Sequence, residues 1–241
     1  MPVTAEDKIR LASSADFQQF LADDPEMQNL EASQIDYDVE KAMLWETLGG
    51  THQICGVEVS PITPAIWCFL WLTRNALCTG KPPVMQDVAN AFYLLTHNLN
   101  EFHFDTFEEN ARQFSESIGF SKEDFATAWE EMVDMVERMN SPLRMLPHAE
   151  SASATGEEPV FDTDWFLSVC SIAANEANVT MDEIASHYPL SAVYGLLVIR
   201  ARKANPDSCI SRHTPEYVGK RMLERTDELA EEFLTKEKKA S

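Results

Sequence analysis

Thr63–Leu95, TPAIWCFLWLTRNALCTGKPPVMQDVANAFYLL, is the stretch that decides the fold class. Thr63-Pro64 opens a helix: the threonine hydroxyl caps free N–H groups, and proline suits the first helical position, where no N–H is needed. The pattern predicts one helix to Cys78, with Gly80 ending it. Its first two turns are apolar on every side, which asks for burial all round. The run AIWCFLWL (65–72) is far too short to span a bilayer and reads as core. Lys81-Pro82-Pro83 makes a stiff turn. A second helix then puts Val84, Val88, Ala91, Phe92 and Leu95 on one face. Two apolar helices joined by a short connection make a helical hairpin.

The same signals recur on both sides. Upstream, Gly49-Gly50 breaks the chain, and HQICGVEV (52–59) predicts a short strand or hairpin, with Gly56 at the bend. The N-terminal stretch to about Asp24 is predicted helical, capped by Thr4, with Phe17, Phe20 and Leu21 on one face. Residues 26–40 are acidic and weakly patterned, a loop or a short helix. Downstream, Phe107, Ala111, Phe114 and Ile118 form a helical stripe that Gly119 stops. Ser121–Asp124 resembles a capping box, and the following helix carries Phe125, Trp129, Met132, Val136 and Met139. Further helices follow Asp162 or Thr163, the capping box Thr180–Glu183, the break Pro189-Leu190 and the start Thr214-Pro215. The expected fold is mainly α, a helical-hairpin or bundle architecture with one short β-strand or hairpin near residues 52–59. The low-complexity run HAESASATGEEP (148–159) places a flexible linker at 148–160. It divides an acidic helical domain (1–147) from a second helical unit (161–241).

The chain has 19 Lys and Arg against 40 Asp and Glu, a net charge of -21. That excess opposes general binding to nucleic acid or to anionic membranes, and it suits a basic protein partner. Much of the positive charge lies after Arg200, so the C-terminal part is expected to meet an acidic region of its own chain or of another copy, or to be a solvated face. Five cysteines, odd in number and without a CxxC pair, fit a reduced, cytoplasmic setting with buried thiols. MPVTAEDKIR (1–10) lacks the apolar stretch of a signal peptide.

The sequence carries no recognisable zinc, phosphate-loop, serine-nucleophile or dinucleotide motif. His97 and His103 flank HNLNEFH and read as surface histidines rather than metal ligands. The many carboxylate pairs lack the apolar setting that tunes a pKa for acid–base work. The expectation is a protein that is not an enzyme, with no catalytic residue, cofactor or metal. The residues chosen for partner binding are Trp129, Met132, Met135 and Met139, with Glu130, Glu131 and Asp134 between them. A methionine-rich surface ringed by acid can hold basic amphipathic helices. The competing assignment for each is an ordinary core position on an amphipathic helix.

Ile54–Thr63 (ICGVEVSPIT), the apolar helix after it and Asp87-Val88-Ala89-Asn90-Ala91-Phe92 resemble a recurrent segment of tailed-bacteriophage tail proteins. In these, a short strand of form G-x-x-V-x-P-(I/L)-T leads into a buried helix and then a D-(V/L/I)-x-x-A-(L/F) helix. The second half, with Trp165, Met181–Ser186 and Pro189-Leu190, is similar to elements of small tail assembly chaperones. The resemblance covers about half the chain, and its motifs are structural. It implies a non-enzymatic role in tail morphogenesis, holding the long helical tape measure protein in the host cytoplasm. The alternative is a structural tail or connector protein that self-associates through acidic and basic faces. An acidic mimic of DNA ranks third, because the carboxylates show no regular period.

Overall fold

The computed structural model describes residues 4–97, 103–146 and 163–240. It bears out a mainly α fold: 76% is helical, and the sheet among the described residues is a single two-stranded hairpin. The chain forms two compact units, each built from separated segments.

The larger unit comprises Tyr37–Leu143 and Glu158–Ala204. It begins with α4 (Tyr37–Thr47), so numbered because three helices of the smaller unit precede it. Strands β1 (His52–Ile54) and β2 (Val57–Val59) pair antiparallel, with Ile54 opposite Val57. Cys55 and Gly56 both take positive φ (49° and 76°), the two-residue turn whose twist matches a hairpin. The helices that follow are α5 (Pro64–Leu72), α6 (Ala76–Thr79), α7 (Met85–Thr96), α8 (Phe107–Ser117), α9 (Lys122–Asn140), α10 (Thr163–Ala177), α11 (Met181–His187) and α12 (Leu190–Ala204).

One continuous core joins the hairpin to the helices on both sides of the expected boundary. Ile54, Leu70, Phe92, Leu95, Met132, Cys170, Ile184 and Leu190 all belong to it. Backbone bonds tie the same parts together: Ser60 N–H donates to the Leu95 carbonyl at 2.8 Å, and Leu190 N–H to the Ile62 carbonyl at 2.7 Å. Packing therefore groups the helices of 163–204 with those of 37–143, rather than with the rest of 161–241 as the linker-based division expects. The expected linker, 148–160, lies outside the described residues.

The helix expected to run from Pro64 to Cys78 is broken, a correction with a local cause. Arg74 adopts φ 55°, and Asn75 caps a new short helix by accepting the Leu77 N–H at 3.0 Å. The buried Asn75 amide also donates to the Asp87 carbonyl at 2.8 Å. That bond to α7 is tertiary and invisible to helical periodicity. Gly80 ends the segment in the left-handed region, as expected.

The smaller unit comprises Met1–Asp36, Arg144–Glu157 and Asn205–Ser241. Its helices are α1 (Ala5–Ala12), α2 (Ala15–Ala22), α3 (Pro25–Ser33) and α13 (Pro215–Ala240). The expected N-terminal helix is thus two, because Ser14 caps a fresh start by accepting the Phe17 N–H. Leu11, Phe17, Leu229 and Ala230 form the core, and Phe233 lies 5.4 Å from the Phe17 ring and 5.6 Å from that of Phe20. Around it, Arg225 pairs with Asp24 at 2.8 Å, Arg221 with Glu26 at 2.7 Å, and Arg10 with Glu237 at 2.9 Å. The basic residues of the C-terminal part thus meet acid of their own chain, one of the outcomes the charge distribution allowed.

Candidate functional site

The methionine stripe is not a surface. Met132, Met135 and Met139 are buried in the core of the larger unit, and Trp129 is half-buried against it. Glu131 accepts the Cys55 N–H at 2.8 Å and so fastens the hairpin turn to α9. Glu130 and Asp134 alone of the chosen set are exposed. Of the set expected to bind a partner, the three methionines therefore fill the interior, while Trp129 in part and Glu130 and Asp134 reach the surface. His97 is half-buried, with its ring 4.2 Å from Tyr93, and His103 is exposed; the residues between them lie outside the described set. Among the described residues, no group of three or more His, Cys, Asp or Glu is placed to hold a metal ion.

Sequence reasoning missed the face that stands out. On α4, Val39, Glu40, Ala42, Met43 and Glu46 turn inward, while Tyr37, Lys41, Leu44 and Trp45 turn outward. Apolar side chains thus stand on both sides of the helix, and a carboxylate lies on the inner one. Glu46 is 4% exposed, whereas Tyr37 is 63%, Leu44 66%, Trp45 57% and Leu48 81% exposed. Leu48 continues the last turn, with its N–H bonded to the Leu44 carbonyl at 3.0 Å. A surface helix ordinarily buries its leucines and shows its carboxylates.

The inward carboxylate has a built environment. One Glu46 oxygen lies 2.7 Å from His52 Nε2 on β1; the other accepts the Ser191 hydroxyl of α12 at 2.7 Å. Serine, carboxylate and histidine here do not form a nucleophile relay. That chemistry needs the imidazole between hydroxyl and acid, and here the acid stands between the other two. The arrangement instead locks α4 to the hairpin and to α12. At the helix end the Trp45 indole donates to the Thr51 carbonyl at 3.2 Å, and the Gly50 N–H bonds back to the Trp45 carbonyl at 2.9 Å. A side chain at Gly50 would overlap the indole, so glycine is what lets the ring lie there. Trp45 is thereby exposed and also held in place.

Comparison with known proteins identifies no relative: no protein family, no curated protein and no solved structure matches the chain.

Two clefts of about 340 Å³ are also present. One, in the larger unit, is lined by Met85, Ala89, Phe120 and Phe125 with Arg112 at its side. Glu109 and Glu116 both engage that arginine. The other, in the smaller unit, lies between α3 and the segment leading to His213, and Cys209 and Asp207 line it. No helix among the described residues is long and apolar enough to cross a membrane.

The thiols read as packing groups. Burial pushes the Cys78 thiol up to about 12 and the Cys170 thiol up to about 11, with Cys68 adding to both. Burial, with Glu131 and Asp124 nearby, also raises Cys55. Since the thiolate is the reactive form, alkylation of the native protein at neutral pH is expected to be roughly 100-fold or more slower at Cys78 and Cys170 than at an ordinary thiol. Timed labelling followed by mass spectrometry checks this. Labelling of either residue as fast as a free thiol would show that its burial is transient.

Proposed function

We propose that this chain is a non-enzymatic protein-binding factor of the tail assembly chaperone type, holding a long helical partner such as a tape measure protein. The observation that carries the reading is the outer side of α4, where Leu44, Trp45 and Leu48 are exposed while Glu46 is inside. Ordered apolar side chains on a surface are characteristic of interaction sites. The resemblance of Ile54–Phe92 to tail proteins supplies the setting, and the net charge of -21 supports a partner richer in base.

The self-assembling virion protein is less favoured. Its argument needs displayed basic side chains, and Arg221 and Arg225 are already paired with Asp24, Glu26 and Glu228 of their own chain.

Co-expression with a tape measure protein tests the proposal. The expected result is a higher soluble fraction of the partner and its co-purification with this chain. No gain in solubility and no co-purification would dismiss the chaperone role.

A further inference from the structure

We propose that α13 is a displaceable occupant of a helix-binding groove on α1–α3, and that a more basic helix of another protein competes with it for that place. The inference rests on the protein-binding reading above and adds a second surface, a partner chemistry and a means of regulation.

The chemistry that fits the groove is written in α13, which lies in it. The helix packs along α2 and α3, and its Leu229 and Phe233 cluster with Leu11, Phe17 and Phe20. Arg221, Arg225, Leu229 and Phe233 follow one another every four residues, so a basic half precedes an apolar half along one side. The hold is thin. Leu11, Phe17, Leu229 and Ala230 make up the buried cluster beneath the helix, so little apolar area opposes local opening. The start of α13 is tied down separately. His213, just before it, donates its N–H to the Ser33 carbonyl at 2.8 Å and accepts the Ile35 N–H at 2.9 Å. These bonds set a pivot at the end of α3, about which the helix leaves and returns.

Charge selects what displaces it. Five carboxylates, of Asp24, Glu26, Glu224, Glu228 and Glu232, stand within 3.7 Å of the two guanidinium groups of Arg221 and Arg225. Even with Lys220, 4.0 Å from Glu224, acid outnumbers base. Three of the five acids belong to α13 itself. They share the arginines with Asp24 and Glu26 and leave the seam with an excess of negative charge. A helix with the same arginines and apolar residues, but without those three acids, directs its whole positive charge at Asp24 and Glu26 and so binds better than α13 does. A second copy offers the same α13 with the same acids, on a chain whose net charge of -21 is repulsive. Until the more basic helix arrives, α13 covers Phe17 and Phe20 and keeps the groove from indiscriminate apolar contact.

The test adds three synthetic helices to the full chain. One has the sequence of α13, Pro215–Ala240; the second carries E224Q, E228Q and E232Q; the third carries R221E and R225E. The expected order of affinity is the glutamine helix, the native helix, then the glutamate helix, in steps of roughly tenfold. Binding of the glutamine helix should speed hydrogen exchange in the chain's own α13 and leave the larger unit unchanged. In the full chain F233A removes ring contacts that hold the tethered helix, and it should raise the affinity for the glutamine helix roughly tenfold or more. R221A replaces F233A if the latter unfolds the smaller unit. The proposal is overturned by no binding to any of these chains, by equal affinity for the three helices, or by binding that leaves exchange in α13 unaltered. Sedimentation showing a dimer that the glutamine helix dissociates would also overturn it, in favour of exchange of α13 between copies. Each of these leaves the co-expression test independent: a tape measure protein solubilised by a chain that binds none of the helices would locate the binding site elsewhere and keep the broader reading.

Discussion

Replacing Glu46 by alanine is expected to destabilise the larger unit by about 3 kcal/mol, whereas glutamine should cost only about 1 kcal/mol. The carboxylate is buried, and it alone joins His52 to Ser191. Alanine leaves a buried hydroxyl without its acceptor and the imidazole without its partner, and it opens a void between α4, β1 and α12. Glutamine keeps the shape, accepts from Ser191 through its oxygen and places its amide against the His52 ring nitrogen. Urea unfolding followed by circular dichroism measures both. A further variant separates the cluster from simple packing. With E46L, S191A and H52L combined, no buried polar group of the cluster is orphaned, so the triple variant should lose less than the sum of its single substitutions. Equal losses for E46A and E46Q would mean that charge rather than hydrogen bonding holds the three elements.

Asp24→Ala is the second large effect, at about 2–3 kcal/mol, read on the smaller unit. Asp24 has two roles at once. It caps α3 by accepting the Met27 N–H at 3.0 Å, and it receives the Arg225 guanidinium of α13 at 2.8 Å. Asn keeps the cap but loses the charge, so D24N should fall between wild type and D24A. The pH dependence follows from the same contacts. The Arg225 hydrogen bond, with the capped N–H groups, holds the Asp24 carboxyl below its ordinary value of 3.8 despite partial burial. A carboxyl with a lowered folded pKa contributes stability that is fully present above the unfolded value. That stability is lost as pH falls through the folded value. The wild type should therefore lose its advantage over D24N on acidification below about pH 4. An advantage unchanged at acid pH would show that the pair contributes through packing alone.

Local chemistry was legible where the deciding interaction is local. The caps at Thr4, Ser121 and Thr180 stand where the residue types placed them, each accepting an N–H three residues on. The hairpin at 52–59 follows from Gly56 and the alternating valines. The break after Leu72 was not legible, because Asn75 is held by Asp87 of the next helix. The site was missed for a sharper reason. Periodicity assigns an apolar stripe to the core, and on α9 that rule is right: Met132, Met135 and Met139 are interior. On α4 it cannot choose, because apolar residues lie on both sides, Val39, Ala42 and Met43 inward and Tyr37, Leu44 and Leu48 outward, and a carboxylate faces in. The one warning in the sequence was that Glu46 falls opposite Tyr37, Leu44 and Leu48, with a histidine six residues on. The grouping of helices into units was beyond reach for a related reason, since nothing in residues 163–204 names the core they join.

The smaller unit has a consequence for how the chain comes off the ribosome. Asp24 and Arg225, which close it, are 201 residues apart. At a synthesis rate of roughly 5–20 residues per second, the first helices wait on the order of 10–40 s before Leu229 and Phe233 exist to cover Leu11 and Phe17. The larger unit, complete once Ala204 has emerged, can assemble during that delay. A protein read as the keeper of another chain's exposed helices thus makes its own first contacts late, and a stretch translated 201 residues after Asp24 is what shields these helices.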